Sequence, residues 1–373
     1  MKENASVYKW EAGQFVIVDN SVAYHSRQPF KGPRRVFAAI ADGTKQIDLD
    51  QPSVTVTSGD RMPMMGLGLW KIPNEKCEQV VYDAIKVGYR LLDSASDYGN
   101  ELEVGKGIQK ALQDGLVTRD QLWVTSKLWN TDHRKEHVKA ACLKSLQDLG
   151  LTYLDLYMIH FPIALKHIPH SSRYPAGWNY HPDKAGMEED PVPYSETYAA
   201  LEELVKEGLV RNIGVCNIGV AMLRELLSYA SVKPAVLQIE GHPYLVQEKL
   251  VQFARSKGIA VTCFSNLGAG SYVQLGMATV EESCLNEAGV REIAAKHSCT
   301  PAQAVLRWAI QRGTAVIPKT TSIERLQENF DSLKINLTDD EMTTISKLDK
   351  NHRYNDPGVF CKLAFGTFYP IYE

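Results

Sequence analysis

The 373-residue sequence has no Cys-x-x-Cys, no long apolar run and no marked excess of charge of either sign. Its seven cysteines (Cys77, Cys142, Cys216, Cys263, Cys284, Cys299 and Cys361) are odd in number and widely spaced. That pattern argues against a disulfide framework or a zinc ribbon and for a reducing compartment, the cytoplasm. No stretch approaches the roughly 20 apolar residues of a membrane span. The opening Met1-Lys2-Glu3-Asn4 leads into no apolar run of signal-peptide length, so no membrane partner is expected. Lys+Arg 41 against Asp+Glu 44 leaves a formal charge of -3, which offers no phosphate-neutralising surface and removes nucleic acid as a main partner. Also missing is a Gly-rich fingerprint after the first strand, which tells against a doubly wound dinucleotide fold.

What is present is a rhythm. Short β-branched runs at 65–69, 90–93, 122–126, 154–160, 212–216, 235–240, 260–265 and 314–318 alternate with amphipathic stretches. Those stretches cover 74–87, 101–114, 135–149, 196–207, 220–229, 247–257, 301–312 and 322–330. Gly88, Gly150, Gly208, Gly258 and Gly313 each stand just past a helical run, as helix stops. Strict strand–helix alternation implies a parallel sheet, and eight units in this length fit a closed (β/α)8 TIM barrel of about 250 residues. The fold class is therefore α/β, with the barrel in residues 51–373. A hairpin at 54–64, turning at Gly59-Asp60, precedes the first barrel strand and is placed to plug the bottom. The segment 161–193, rich in Pro, His and Tyr, follows the fourth strand, and a loop that long at a barrel's C-terminal face belongs to function.

Four ionisable side chains sit at the C-terminal ends of three consecutive strands. Asp93 ends the second, Tyr98 follows in Asp93-Ser94-Ala95-Ser96-Asp97-Tyr98-Gly99-Asn100-Glu101, Lys127 follows the third, and His160 ends the fourth. Any one of them alone reads as a satisfied polar group at a strand end. In a closed barrel, however, they converge at the face where such enzymes keep their chemistry.

These residues resemble the Asp, Tyr, Lys and His tetrad of the aldo-keto reductase superfamily. The resemblance spans about 54–357 and is closest to the xylose (aldose) reductase type. It is carried by Asp97-Tyr98-Gly99-Asn100-Glu101, His160-Phe161-Pro162-Ile163-Ala164, Tyr174-Pro175-Ala176-Gly177 and Tyr354-Asn355-Asp356-Pro357. It implies hydride transfer from a nicotinamide to a carbonyl carbon, with Tyr98 as general acid. An unperturbed phenol titrates near pH 10. The Lys127 ammonium is expected to lower that value, Asp93 to hold Lys127 charged and oriented, and His160 to hydrogen-bond the carbonyl oxygen.

The same resemblance assigns the remaining site residues. Trp70, Trp129, Phe161 and Asn355 line the substrate pocket, although an aromatic such as Trp70 also suits plain rim packing. Asn217 and Gln238 hold the nicotinamide amide. Cys216 stands where the family has Ser, and Phe264 where a Tyr stacks on the ring. Ser265, Leu267 and Gly268 run under the pyrophosphate, with Asn266 where Pro or Ser is commoner. Lys319, Thr320, Thr321 and Arg325 clamp the adenosine 2′-phosphate at a helix start capped by Ser322, a favoured place for an anion. Glu328 and Asn329 contact the adenine. The bland reading of this last stretch is a charged barrel helix. The implied cofactor is NADPH, with NADH weaker.

Other strings fit known chemistry less well. His133-Arg134-Lys135-Glu136-His137 matches a His-x-x-Glu-His pattern but opens a charged helix with no third ligand, so no metal is expected. His167 and His170 suit the substrate rim or solvent, and residues 99–107 lack the spacing of a phosphate loop. Residues 1–50 form a separate β-rich appendage and linker. Within it, 13–39 resembles the C-terminal end of a taurine-dioxygenase-type iron/2-oxoglutarate enzyme, with His25 at the distal iron ligand and Arg34 or Arg35 at the 2-oxoglutarate arginine. The rest of a facial triad has no room before it.

The expected function is reduction of an aldehyde, aldose to alditol, in a monomer or homodimer. The loops at 161–193 and 265–286 and the tail 351–373 shape the pocket. An apolar tail after Pro357 keeps open a less polar aldehyde or ketone as substrate. A cofactor-binding regulatory subunit is the reading from another class, and the appendage is a candidate docking piece.

Overall fold

The computed structural model describes residues 51–179 and 186–373; the dioxygenase-like segment, with His25, Arg34 and Arg35, lies outside them. Two short strands, β1 (Ser53–Thr55) and β2 (Arg61–Pro63), form an antiparallel hairpin. Eight more run parallel: β3 (Gly66–Gly68), β4 (Leu91–Asp93), β5 (Trp123–Leu128), β6 (Leu154–Ile159), β7 (Val210–Cys216), β8 (Val236–Glu240), β9 (Ala260–Phe264) and β10 (Ala315–Val316). Their order around the sheet follows the sequence. The ends meet where Met65 bridges Val316 and where the Val316 amide donates to the Met64 carbonyl at 2.8 Å. This seam is tight: the Gly68 amide donates to the Pro318 carbonyl at 3.2 Å, and a Cβ on Gly68 would lie 2.5 Å from the Ile317 carbonyl oxygen. Only glycine fits there. The result is the (β/α)8 barrel expected.

Every residue of β5 and β6 is buried. One set of side chains fills the barrel and the other packs beneath helices, which is why these strands read as unbroken apolar runs rather than alternating ones. The helices are α1 (Asn74–Val87), α2 (Glu101–Gln113), α3 (Lys135–Leu149), α4 (Tyr194–Lys206), α5 (Val220–Tyr229), α6 (Glu248–Ser256), α7 (Ala288–Lys296), α8 (Pro301–Gln311), α9 (Ile323–Asp331), α10 (Asp339–Ser346) and α11 (Pro357–Phe365). Each turns one stripe inward. In α1, Cys77, Val80, Val81, Ala84 and Ile85 are the buried set, spaced at three and four.

Three helices exceed the sequence expectation: α7, α10 and α11. Two of the three carry local signals. Thr338 and Glu341 make a capping box at the start of α10, and Asp356-Pro357 supplies an N-cap and an N1 proline for α11. Both helices are short, and α11 is apolar with little periodicity, so the pattern was weak.

The hairpin turn also corrects the expectation. The Val56 amide donates to Asp60 O and the Gly59 amide to Val56 O, each at 2.9 Å, so residues 57–59 form a three-residue loop in place of a Gly59-Asp60 turn. Gly59 takes φ of 95°, the left-handed position such a loop requires. The hairpin occupies the bottom as expected. Met62 is fully buried, and Asp60 Oδ2 accepts from Asn212 Nδ2 at 2.8 Å beside the start of β7.

Candidate active site

The strand ends deliver the predicted tetrad to one place. Lys127, on β5, is fully buried and donates from Nζ to Asp93 Oδ1 at 2.5 Å, to the Ser94 carbonyl at 2.8 Å and to the Tyr98 hydroxyl at 3.2 Å. Asp93 Oδ2 accepts from Gln238 Nε2 at 2.7 Å. The His160 ring meets the Tyr98 ring edge-on at 5.8 Å. A buried ion pair holds only when its remaining valences are filled. Here Asp93, Ser94 and Tyr98 take three bonds from the ammonium, and Gln238 fills the second carboxylate oxygen.

Burial opposes the charge on Lys127, but Asp93 and Tyr98 overcome it and hold the ammonium above its ordinary range. For Tyr98 the balance corrects the sequence expectation. Burial pushes its phenol up, Lys127 pulls it down through charge and hydrogen bond, and Asp93 pushes it up again. The net shift is upward, because burial outweighs the ammonium and Asp93 offsets part of the ammonium's field. The hydroxyl therefore keeps its proton across neutral pH. Burial, then the Lys127 charge, holds His160 well below its ordinary value, so its imidazole is neutral. Its Nδ1 is buried and has no partner among the described residues.

Tyr98 and His160 open onto a cleft of about 690 Å³ at the strands' C-terminal ends. Trp70, Trp129 and Phe161 line it, as do Asn217, Gln238, Phe264, Ser265, Leu267, Gly268, Lys319, Arg325 and Asn355. Lys127 stands behind this wall. Thr320, Thr321, Glu328 and Asn329 are also outside it. Glu328 accepts from Thr300 Oγ1 at 2.8 Å, which ties α9 to the cap of α8. Ser322 caps α9 as expected, accepting from the Arg325 amide at 3.3 Å. Cys216 turns its thiol to Met158 Sδ at 3.8 Å.

The structure adds residues that the sequence reading missed. Asp97 lines the cleft beside Tyr98, with its carboxyl pushed up to about 7 by burial against the opposing pull of Arg173. Lys71 joins Lys319 and Arg325 in a cationic cluster. Burial and then Arg325 depress Lys319, while burial and then Lys319 depress Lys71. Among the described residues, no carboxylate forms an ion pair with any of the three. Asn266 staples two strand ends, accepting from the Ile317 amide at 3.1 Å and donating to Gly241 O at 3.4 Å. The only signal for Asn266 was its departure from the expected residue type. For Lys71 it was a lysine directly after Trp70.

The rim is built from the long loops. Trp129 donates from its indole to the Gly177 carbonyl, and Arg134 pairs with Asp190. His167 and His170 both turn to the buried Asp132, at 3.1 and 3.5 Å, so they anchor the loop rather than face solvent. His133 lies outside α3, which begins at Lys135, so the His-x-x-Glu-His string does not share a helix face. Helix α11 plants Cys361 among Trp129, Phe161 and Ile163, and it turns Phe360, Leu363, Ala364 and Phe365 toward the cleft.

The model of the Aldo/keto reductase family matches residues 64–350. The chain belongs to the aldo/keto reductase family. It is 47% identical over 332 residues to a probable NAD(P)H-dependent D-xylose reductase of Aspergillus clavatus, covering 87% of this chain and all of the relative. It is 45% identical to a 4-dihydromethyl-trisporate dehydrogenase of Mucor mucedo, over 85% of this chain and 97% of that one. Among solved structures, a Bombyx mori aldo-keto reductase in complex with NADP superposes with a TM-score of 0.74 at 34% identity, covering 86% of this chain and 99% of that one. The aldose reductase of Schistosoma japonicum gives 0.75 at 35%, over 87% and 99%. As a member of this family, the chain is an oxidoreductase.

Proposed function

We propose that this aldo/keto reductase reduces the aldehyde of an open-chain aldose to the alditol with NADPH. The observation that carries the reading is an Asp93–Lys127–Tyr98 relay opening onto the same cleft as Lys319 and Arg325, which with the neighbouring Lys71 form a cationic cluster that meets no carboxylate among the described residues. The residues fit the cofactor. Lys71, Lys319 and Arg325 repel one another and call for a multiply charged anion, which a 2′-phosphate supplies. At the other end, Asn217 and Gln238 offer amides to a carboxamide, and Phe264 offers a ring face.

Bound there, the reduced nicotinamide supplies a hydride to the carbonyl carbon. Tyr98 gives its proton to the carbonyl oxygen as negative charge develops, and Lys127, 3.2 Å away, stabilises the phenolate left behind. Asp93 and the Ser94 carbonyl keep the ammonium aimed. His160, neutral at working pH, orients the carbonyl oxygen with an N–H from the wall. Asn355 and Asp97 give a sugar two polar contacts.

The aromatic and aliphatic wall from Trp70, Trp129, Phe161, Trp178 and α11 favours a second reading, a less polar aldehyde or ketone. Oxidation of NADPH and NADH against aldoses, aliphatic aldehydes and apolar ketones separates the two. Aldose turnover with NADPH is the expected result. Turnover of ketones alone supports the second reading, and no turnover with any carbonyl ends both.

A further inference from the structure

The penultimate residue of the chain returns to the site. The Tyr372 hydroxyl donates to Asn217 Oδ1 at 3.0 Å. The opposite end of that amide is also committed, because Asn217 Nδ2 donates to the His160 carbonyl at 2.8 Å. The Asn217 backbone is fixed as well: its N–H donates to Gln238 O at 3.0 Å, and its φ of 60° is a left-handed value that asparagine tolerates. Asn217 lines the cleft, and Tyr372 is not part of that lining.

The tail is fastened for this purpose at two points. The Tyr354 and Asn355 amides donate to the two oxygens of the buried Glu240, at 2.8 and 2.9 Å. Farther along, the Arg353 guanidinium stacks on the Tyr372 ring at 3.6 Å and donates to Gln247 Oε1 at 3.3 Å. Gln247 in turn donates to the Glu240 carbonyl at 2.6 Å.

A side-chain amide is nearly symmetric in shape but opposite in polarity at its two ends. With one lone pair of Oδ1 and one hydrogen of Nδ2 taken, a ligand meets the remaining lone pair and hydrogen in a preset order. The complement is a primary carboxamide, whose NH2 donates to the one and whose oxygen accepts from the other. We propose that Tyr372 is a positioning residue that acts through Asn217 to present this acceptor–donor pair to the nicotinamide carboxamide. The inference rests on the function proposed above.

The test compares the full chain with Tyr372→Phe, which keeps the ring and its stacking on Arg353 and removes only the hydroxyl. Dissociation constants are measured by tryptophan fluorescence for NADPH and for its 3-acetylpyridine analogue, in which a methyl replaces the carboxamide NH2. The parent is expected to prefer NADPH. The variant is expected to lose about 3- to 10-fold for NADPH, the worth of one neutral hydrogen bond, and little for the analogue, so the preference shrinks. Equal losses for both ligands, or none, overturn the proposal in favour of plain tail packing. Tighter NADPH binding overturns it too, since the hydroxyl would then occupy the carboxamide's place. If the variant unfolds, deletion of Tyr372 and Glu373 reads the same ratio. A parent that binds no NADPH refutes the functional reading itself, a result distinct from an unchanged ratio in a parent that binds it.

Discussion

At the scale of single residues, the site is a balance between burial and charge, and Asp97 shows how far burial prevails. Its folded carboxyl keeps a proton up to about pH 7, whereas an unfolded aspartate releases it near 3.9. Between those values the folded state binds more protons, so this residue makes stability fall as pH rises. Asp97→Asn is therefore expected to gain stability over the parent at pH 8 relative to pH 5, read from urea midpoints; an equal difference at both pH values would contradict the assignment. The tetrad was legible in the sequence because each member ends or follows a strand, and a closed barrel brings strand ends together. The net upward shift of Tyr98 was not legible. It depends first on burial of the phenol, and then on Asp93 offsetting the ammonium, neither of which spacing reports. The same motif hid two structural roles. Asn100 donates to the Leu69 and Ile72 carbonyls beside Trp70, and Glu101 accepts from Ser126 and Ser145 at 2.6 and 2.7 Å.

At the scale of elements, helix boundaries were read within a residue or two wherever a cap or a stop glycine marked them. The Thr300–Gln303 capping box of α8 is one such mark, and Thr300 also donates to Glu328 on α9. Thr300→Ala is expected to cost about 1 kcal/mol or more, since the cap and the tie to α9 are lost together. Chemical denaturation measures this, and a change within a few tenths of a kcal/mol would show that the cap contributes little. The elements that escaped reading are α7, α10 and α11; α7 lies just past the expected loop 265–286, and α11 lies within the expected tail 351–373. Their placement is decided by packing. Cys361 of α11 is buried because the Trp129 and Phe161 cluster is there to receive it, a long-range fact with no local signature.

At the scale of the molecule, the barrel brings the Asp93–Lys127–Tyr98 cluster and the cations Lys319 and Arg325 to one cleft, and the proposed function needs both. Removing one cation tests the second part. Lys319→Ala is expected to raise KM for NADPH by about 10-fold or more, the worth of a charge-assisted contact, while KM for NADH changes little. Equal effects on the two cofactors would remove Lys319 from the 2′-phosphate site. The wide apolar wall contributed by α11 bears on the substrate and leaves the relay untouched. The relay itself is tested most directly by Tyr98→Phe, assayed for single-turnover reduction and, in parallel, for NADPH affinity. The account predicts a loss of about 10²-fold or more in the chemical step with cofactor affinity retained; a variant that still reduces its carbonyl at the parent's rate would contradict it.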